Sequence, residues 1–375
     1  MPTDAYPPPQ SHSTLPQLAR EQRLQVIVRK GLPPFRQTAL ELTKALGGAS
    51  PDMKKAGRLI SADPALSSQV LRMCNSPLLG LHSRVISIDH AATLLGPERL
   101  RSLALTTSVA DFAGQALPEL QMSAFWQHSL LAAMLSQFLA ERWEYFEKYQ
   151  AYIAGLLHDI GQIPEWILLG EDTGEGDGAP SDWQDNPSVE QEYFGTDHCK
   201  LGGIMARSWE LMPSFLDVLE NHHTPELARR DSVLVRMVAA ADSFLACRAE
   251  TQTSPERGVT GNESHRFAQL GQGLFGEGKW PAVKAALEQE YLRVLPMAEA
   301  GPEGFLGKSS DSEGGSESDS RPTPATEGAP AAGLPRPPSQ AKPGQTQARV
   351  GSVPPEPDRA TLLSRCRSFL KPFFS

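Results

Sequence analysis

"LISADPALSSQVLRMCNSPLLGLHSRVISIDHAATLLGPERLRSLAL", residues 59–105, carries the signals that decide the fold. Asp63 precedes Pro64, the order of a capping side chain followed by proline at the first helical position. Leu66, Val70, Met73 and Cys74 then recur at helical spacing, and Pro77 stops the run. Gly96-Pro97 breaks "IDHAATLL" from "ERLRSLALTTSVADFA" in the same way, and Ser50-Pro51 repeats the cap-and-proline pattern upstream. No window alternates like a strand over a useful length. The chain is therefore read as all-α, helix after helix from about Leu32 to Glu250.

Outside that core the composition changes. The first residues, 1–29, contain Pro and Gln and read as a loose segment. Residues 170–187, "GEDTGEGDGAPSDWQDNP", are acidic and Gly-rich, the pattern of a solvated loop. A helical extension is expected over 251–300. Residues 301–357 hold eleven Pro and nine Gly, above the roughly 25–30 % at which non-periodic Pro plus Gly marks disorder, and read as a flexible linker. The last stretch, 358–375, reads as a short amphipathic helix. Leu362, Phe369 and Leu370 lie on its apolar face, with Arg359, Arg365, Arg367 and Lys371 around it. Such a segment suits a groove in a protein partner or weak contact with an anionic membrane surface, and equally a cap on its own domain.

Charge and cysteine usage narrow the function classes. A net charge of −9 with 40 % hydrophobic residues argues against a general nucleic-acid-binding surface. The turn at Asp63 looks like a helix–turn–helix, but its second helix presents Ser and Gln instead of basic residues. Cys74, Cys199, Cys247 and Cys366 are far apart and form no zinc-ribbon or disulfide pattern. The start of the chain lacks the basic and apolar regions of a secretion signal, and no apolar run is long enough to span a bilayer. A cytoplasmic location is the expectation.

The chemistry-bearing residues are histidines and aspartates. "AGLLHDIGQIPEW", residues 154–166, places His158 and Asp159 side by side at the end of an apolar run. Consecutive helical residues diverge by about 100°, so such a doublet reaches one cavity from two sides, and its carboxylate can bridge two cations. His128 falls on the core face of the helix 124–143. His198, His222-His223 and Asp242 follow, the last inside the apolar "VAAADSFLA", where an unpaired charge would cost several kcal/mol. Imidazole and carboxylate together suit first-row divalent ions such as Fe, Mn or Zn. A buried hydrogen-bonded network that fixes helix packing uses the same residues, and sequence leaves both readings open.

The order His128 … His158-Asp159 … Asp242 resembles the H…HD…D signature of the HD superfamily of metal-dependent phosphohydrolases. His198 and His222-His223 fall where the HD-GYP cyclic di-GMP phosphodiesterases carry extra histidines. Residues 59–105 more narrowly resemble the leading helices of HDOD domains, signalling modules with a helical bundle packed on an HD-like bundle. That resemblance covers roughly residues 30–250. It implies a division at about 120, between the N-terminal helical part (30–120) and the HD-like part (121–250). It also implies a bacterial regulator acting through protein contacts, with response regulators or cyclic dinucleotide enzymes as partners. The implied metal set is His128, His158, Asp159, His198, His222, His223 and Asp242, with Asp159 as the catalytic candidate if the chain is active.

Three departures argue against phosphodiesterase chemistry. The HD-x-G-K lysine is replaced by Gln162, which carries no charge and cannot act as a general acid. The Gly-Tyr-Pro motif is absent, since "TPELARRD" follows His223, and Ala124 stands where some relatives carry a metal-binding glutamate. The expectation is a regulator that binds a divalent metal pair with little or no hydrolysis. The alternative is a metal-dependent phosphohydrolase acting on a nucleotide or cyclic dinucleotide.

Overall fold

The computed structural model describes residues 17–33, 35–47, 50–75, 84–173, 183–253 and 261–306. The expected terminal helix with Leu362, Phe369 and Leu370, and residues 307–357 of the expected linker, lie outside the described residues. Among the described residues there is no strand, in accord with the all-α expectation. No described helix is long and apolar enough to cross a membrane.

The amino-terminal layer begins with α2 (Gln37–Leu46), α3 (Met53–Ala62) and α4 (Pro64–Cys74), packed on α5 (Ile88–Ala116). Of the two caps read from sequence, Asp63 operates, accepting from the backbone N–H of Leu66 at 3.0 Å. The upstream cap is Asp52, not Ser50, because α3 starts at Met53, and Asp52 accepts from the backbone N–H of Lys55 at 2.9 Å. Asp63 also holds the Arg36 guanidinium at 2.9 Å, tying the α3–α4 corner to the chain ahead of α2. Gly96 interrupts α5 at φ +76° and ψ 170°, a left-handed backbone favoured by glycine. Beyond this kink, Leu100, Leu105, Val109 and Phe112 bury almost completely and make α5 the shared wall of both halves of the molecule.

The second half starts with α6 (Glu119–Trp143) and α7 (Lys148–Leu157), followed by a turn at 158–161 and α8 (Gln162–Thr173). It continues through α9 (Pro187–Phe194), α10 (His198–Ser208), α11 (Pro213–Asn221) and α12 (Ser232–Thr253). A helical extension, α13 (Gly261–Phe275) and α14 (Trp280–Glu299), closes over α12 and α6 through Phe244, Phe267, Trp280 and Tyr291. At the junction of the two halves, Trp209 stacks on Phe35 at 4.4 Å between centroids and meets Phe112 edge-on at 5.4 Å.

Three expectations need correcting. Residues 17–26 form a helix, α1, and are not loose. Leu24 and Ile27 bury against Leu168, Phe194 and Leu201, while Arg20 lies over the Tyr193 ring and donates to its carbonyl. The linker does not begin at 301, because Gly301–Leu306 is a helix, α15, whose Phe305 packs on Trp126. The acidic stretch 170–187 is not solvated throughout. Its Trp183 is buried in a T-shaped contact with Trp166, and Asp185 is partly buried.

Candidate metal centre

Two close helix crossings assemble the cluster. At Gly155 a Cβ would lie 2.7 Å from the Ala132 carbonyl, so glycine lets α7 press against α6 and brings His158 opposite His128. At Gly161 a Cβ would lie 1.9 Å from the His198 carbonyl and 2.6 Å from the Gly202 nitrogen. The turn after His158-Asp159 thus packs directly on the start of α10, which carries His198. Asp242 arrives from α12, and His222-His223 from the end of α11.

All seven residues marked by the sequence converge on this place, and the distances divide them into two halves. Asp159 Oδ2 lies 3.2 Å from His128 Nε2 and 3.3 Å from His158 Nε2. Asp242 Oδ1 lies 3.6 and 3.8 Å from the same two nitrogens. Asp159 Oδ1 turns the other way, 3.5 Å from His198 Nε2 and 3.4 Å from His222 Nε2. His223 Nε2 stands 3.2 Å from His198 Nε2. One carboxylate therefore faces both halves with different oxygens.

The tautomers follow from the hydrogen bonds on the far side of the rings. His158 Nδ1 lies 2.8 Å from the Gly155 carbonyl, and His222 Nδ1 lies 3.1 Å from the Val218 carbonyl. A carbonyl only accepts, so each Nδ1 carries the proton and each neutral ring presents a bare Nε2 lone pair inward. His198 Nδ1 is held by Glu190 at 2.7 Å, the carboxylate–histidine pairing that orients metal-binding imidazoles. Yet His128 and His158 approach Nε2 to Nε2 at 3.2 Å, and His198 and His222 do the same at 3.2 Å. Lone pairs do not hydrogen-bond each other. Between two rings protonated at Nδ1, such as His198 and His222, the contact needs a cation, either a proton or a metal ion; His128 can instead donate its own Nε2–H to His158.

The remaining polar atoms fit the same demand. Asp159 Oδ1 and Asp242 Oδ1 are buried and accept no hydrogen bond. Burial works against charge on the His128 ring, but the Asp159 hydrogen bond and charge, with Asp242, push its pKa up to about 9. His198 and His222 are likewise raised well above the ordinary histidine value against the pull of burial, mainly by the neighbouring Cys199, Glu190 and Asp159. His223 goes the other way, down to about 3, through burial and the charges of His222 and His198. Protons and metal ions compete for these lone pairs, so the pocket is one that attracts positive charge. Its imidazole and carboxylate donors match a first-row divalent ion.

Sequence reasoning missed four members. Asp185 comes from the stretch read as a solvated loop and lies 3.0 Å from His223 Nε2. Burial, together with the charges of Asp242 and Asp159, pushes its carboxyl up to about 8. Glu190 had no motif to mark it, although its position eight residues before His198 puts it one short helix away. Glu165, in the quoted "IPEW", is fully buried with both oxygens unpartnered, and burial and Glu190 keep it well above the carboxylate range. Cys199, next to His198, lies with its sulfur 3.5 Å from His198 Nε2. Adjacency to a predicted ligand was the available signal. Gln162 is nearly buried, at 6 % exposure, at the head of α8.

Comparisons place this architecture among known proteins. The chain is similar to an HDOD domain protein of unknown function from Geobacter sulfurreducens. That match covers 74 % of this chain and 98 % of the other at 23 % identity, with a TM-score of 0.57. It is also similar to a protein of Shewanella amazonensis SB2B provisionally named a phosphohydrolase. There the match covers 75 % and 99 % of the two chains at 24 % identity, with a TM-score of 0.53. An uncharacterized protein of Treponema pallidum (strain Nichols) is 23 % identical over 226 residues. That alignment takes in 56 % of this chain and 41 % of that protein, so the chain spans less than half the relative's length. The HDOD domain profile matches residues 32–225, over half of the sequence and every residue of the cluster except Asp242, and the chain belongs to the HDOD family.

Proposed function

We propose that this protein is a signalling regulator whose HDOD domain holds a divalent metal pair as an organising centre and acts through protein contacts, with little or no hydrolysis of phosphoesters. The observation that carries the metal reading is the set of inward-facing Nε2 lone pairs, fixed by Nδ1 bonds to Gly155, Val218 and Glu190, around a bridging Asp159. One ion would be held by His128, His158, Asp159 and Asp242, the other by His198, His222 and His223 with Asp159. Bound divalent ions supply Lewis acidity and can lower the pKa of a coordinated water. This chain's own groups are poorly equipped to use that chemistry. Gln162 offers a neutral amide where the hydrolases resembled carry a lysine.

A regulatory role also fits the course of α10. This helix starts at His198 and is capped at its far end by Trp209, the aromatic contact between the two halves of the molecule. A change in how His198 is held therefore acts directly on the element that joins the amino-terminal bundle to the site. Response regulators and cyclic dinucleotide enzymes are the partner classes suggested by the family resemblance.

The phosphohydrolase alternative retains one supporting observation. The wall of the site is open at His128 and Asp185, whose side chains are 30 % and 29 % exposed. Metal analysis of the purified chain, with phosphodiesterase assays on a chromogenic diester and on cyclic di-GMP, separates the readings. The regulator reading expects bound metal, lost in His158→Ala/Asp159→Ala, with no turnover above that variant. Turnover that disappears with the double substitution would establish the hydrolase instead, and a folded chain with no metal affinity would remove both.

A further inference from the structure

The half of the centre built from α10 and the end of α11 contains a donor that the H…HD…D pattern does not include. Cys199, the second residue of α10, is 7 % exposed, and its sulfur lies 3.5 Å from His198 Nε2. One donor atom from each of His198, Cys199, His222 and His223 falls within 4.8 Å of all the others. His198 Nε2 stands 3.2 Å from both His222 Nε2 and His223 Nε2.

These separations can be compared with those around a tetrahedral ion. Zn–N bonds of about 2.0–2.1 Å and Zn–S bonds of about 2.3 Å put neighbouring nitrogens about 3.3 Å apart, and nitrogen and sulfur about 3.6 Å apart. The three spacings from His198 Nε2, to His222, His223 and the Cys199 sulfur, lie within about 0.2 Å of that pattern. A second observation calls for a cation in the same place. Asp159 Oδ1, in a side chain only 3 % exposed, faces His198 and His222 and accepts no hydrogen bond.

The geometry points to Cys199 as a thiolate ligand, giving this half of the centre a one-sulfur, three-imidazole set that selects zinc. The inference rests on the metal-binding reading above and adds which donor and which ion. Sulfur favours zinc over harder divalent ions that prefer oxygen. The other half, with His128, His158, Asp159 and Asp242, has only nitrogen and oxygen donors, so the two halves differ in selectivity. Cys199 then takes the fourth position given above to Asp159, whose Oδ1 stays beside the ion as a counter-charge. Four protein donors close the site, the arrangement of structural zinc sites, and leave no position for an activated water. Thiolate and carboxylate together balance the charge of the ion.

The test uses the full chain loaded with zinc and examined by X-ray absorption at the zinc edge, with cobalt(II) loading in parallel. A sulfur scatterer at about 2.3 Å and a sulfur-to-cobalt charge-transfer band are expected. Both should vanish in Cys199→Ser and persist in Cys74→Ser and Cys247→Ser. Should Cys199→Ser fail to fold, alkylation of the native chain followed by peptide mass spectrometry gives an independent readout. Zinc is expected to slow labelling of Cys199 at least tenfold without protecting Cys247. Zinc bound through nitrogen and oxygen alone, or Cys199 labelled at equal rates with and without zinc, overturns the sulfur assignment and leaves the metal reading intact. A chain that binds no metal overturns both.

Discussion

At the scale of single residues, the molecule spends its buried charges in two different ways. Those of the His/Asp cluster converge on one another and attract a cation. Asp217, on α11, is satisfied by backbone instead. Its carboxylate accepts from the N–H groups of Arg229 at 3.0 Å, Arg230 at 2.8 Å and Asp231 at 3.1 Å, fixing the segment that leads into α12. Burial works against this carboxylate, but the three backbone donors outweigh it and hold its pKa below the usual value. A depressed carboxylate stabilises the fold fully above its unfolded value, about 3.9, and loses that contribution as pH falls through the folded value. Asp217→Ala should therefore cost about 1.5–3 kcal/mol at neutral pH, since it removes a charged acceptor shared by three backbone N–H groups. Urea titrations should show that difference shrinking as pH drops below about 4. An unchanged midpoint at pH 7 would remove Asp217 from the set of structural anchors.

At the scale of elements, the site depends on how closely α10 approaches the turn after α7. Gly161 is the contact point, and any side chain there would enter the His198 carbonyl. Gly161→Ala must push α10 outward, separating His198 and Cys199 from Asp159. The expected outcome is destabilisation by roughly 2 kcal/mol or more, in the range of overpacked interiors, together with weaker metal binding. Calorimetric titration with zinc checks the second part, and native affinity in Gly161→Ala would contradict it. Both helices fall within the stretch read from sequence as helix after helix, about Leu32 to Glu250. Their separation was not, because a glycine in a turn is equally a helix end, a hinge or a contact point until the opposing backbone is known.

At the scale of the whole molecule, five elements that also pack on one another contribute to the cluster: α6, the turn after α7, the start of α10, the end of α11, and α12. A ligand that binds only the folded arrangement stabilises it by mass action, about 2.7 kcal/mol at a hundredfold excess over Kd. Chelation should lower the thermal midpoint of the full chain, and zinc should restore it. The gain should shrink as pH falls, because the imidazoles that bind metal must first shed protons. A midpoint indifferent to chelator at pH 7.5, in protein shown to carry metal beforehand, would mean that the cluster does not hold these elements together.

The sequence by itself determined the helical class, the cap position at Asp63, the break at Gly96 and seven of the cluster residues. Each of these is local: a period, a capping side chain, a glycine–proline pair, or a motif whose spacing carries the resemblance. Tertiary structure alone decided the division of Asp159 between two sets of histidines and the entry of Asp185 from an apparently solvated loop. It also decided the partnership of Glu190 with His198 and the nearness of the Cys199 sulfur to the imidazoles. Those depend on distances between chain-remote atoms, set by crossings such as Gly155 against α6 and Gly161 against α10, where the missing Cβ matters only because another backbone occupies its place.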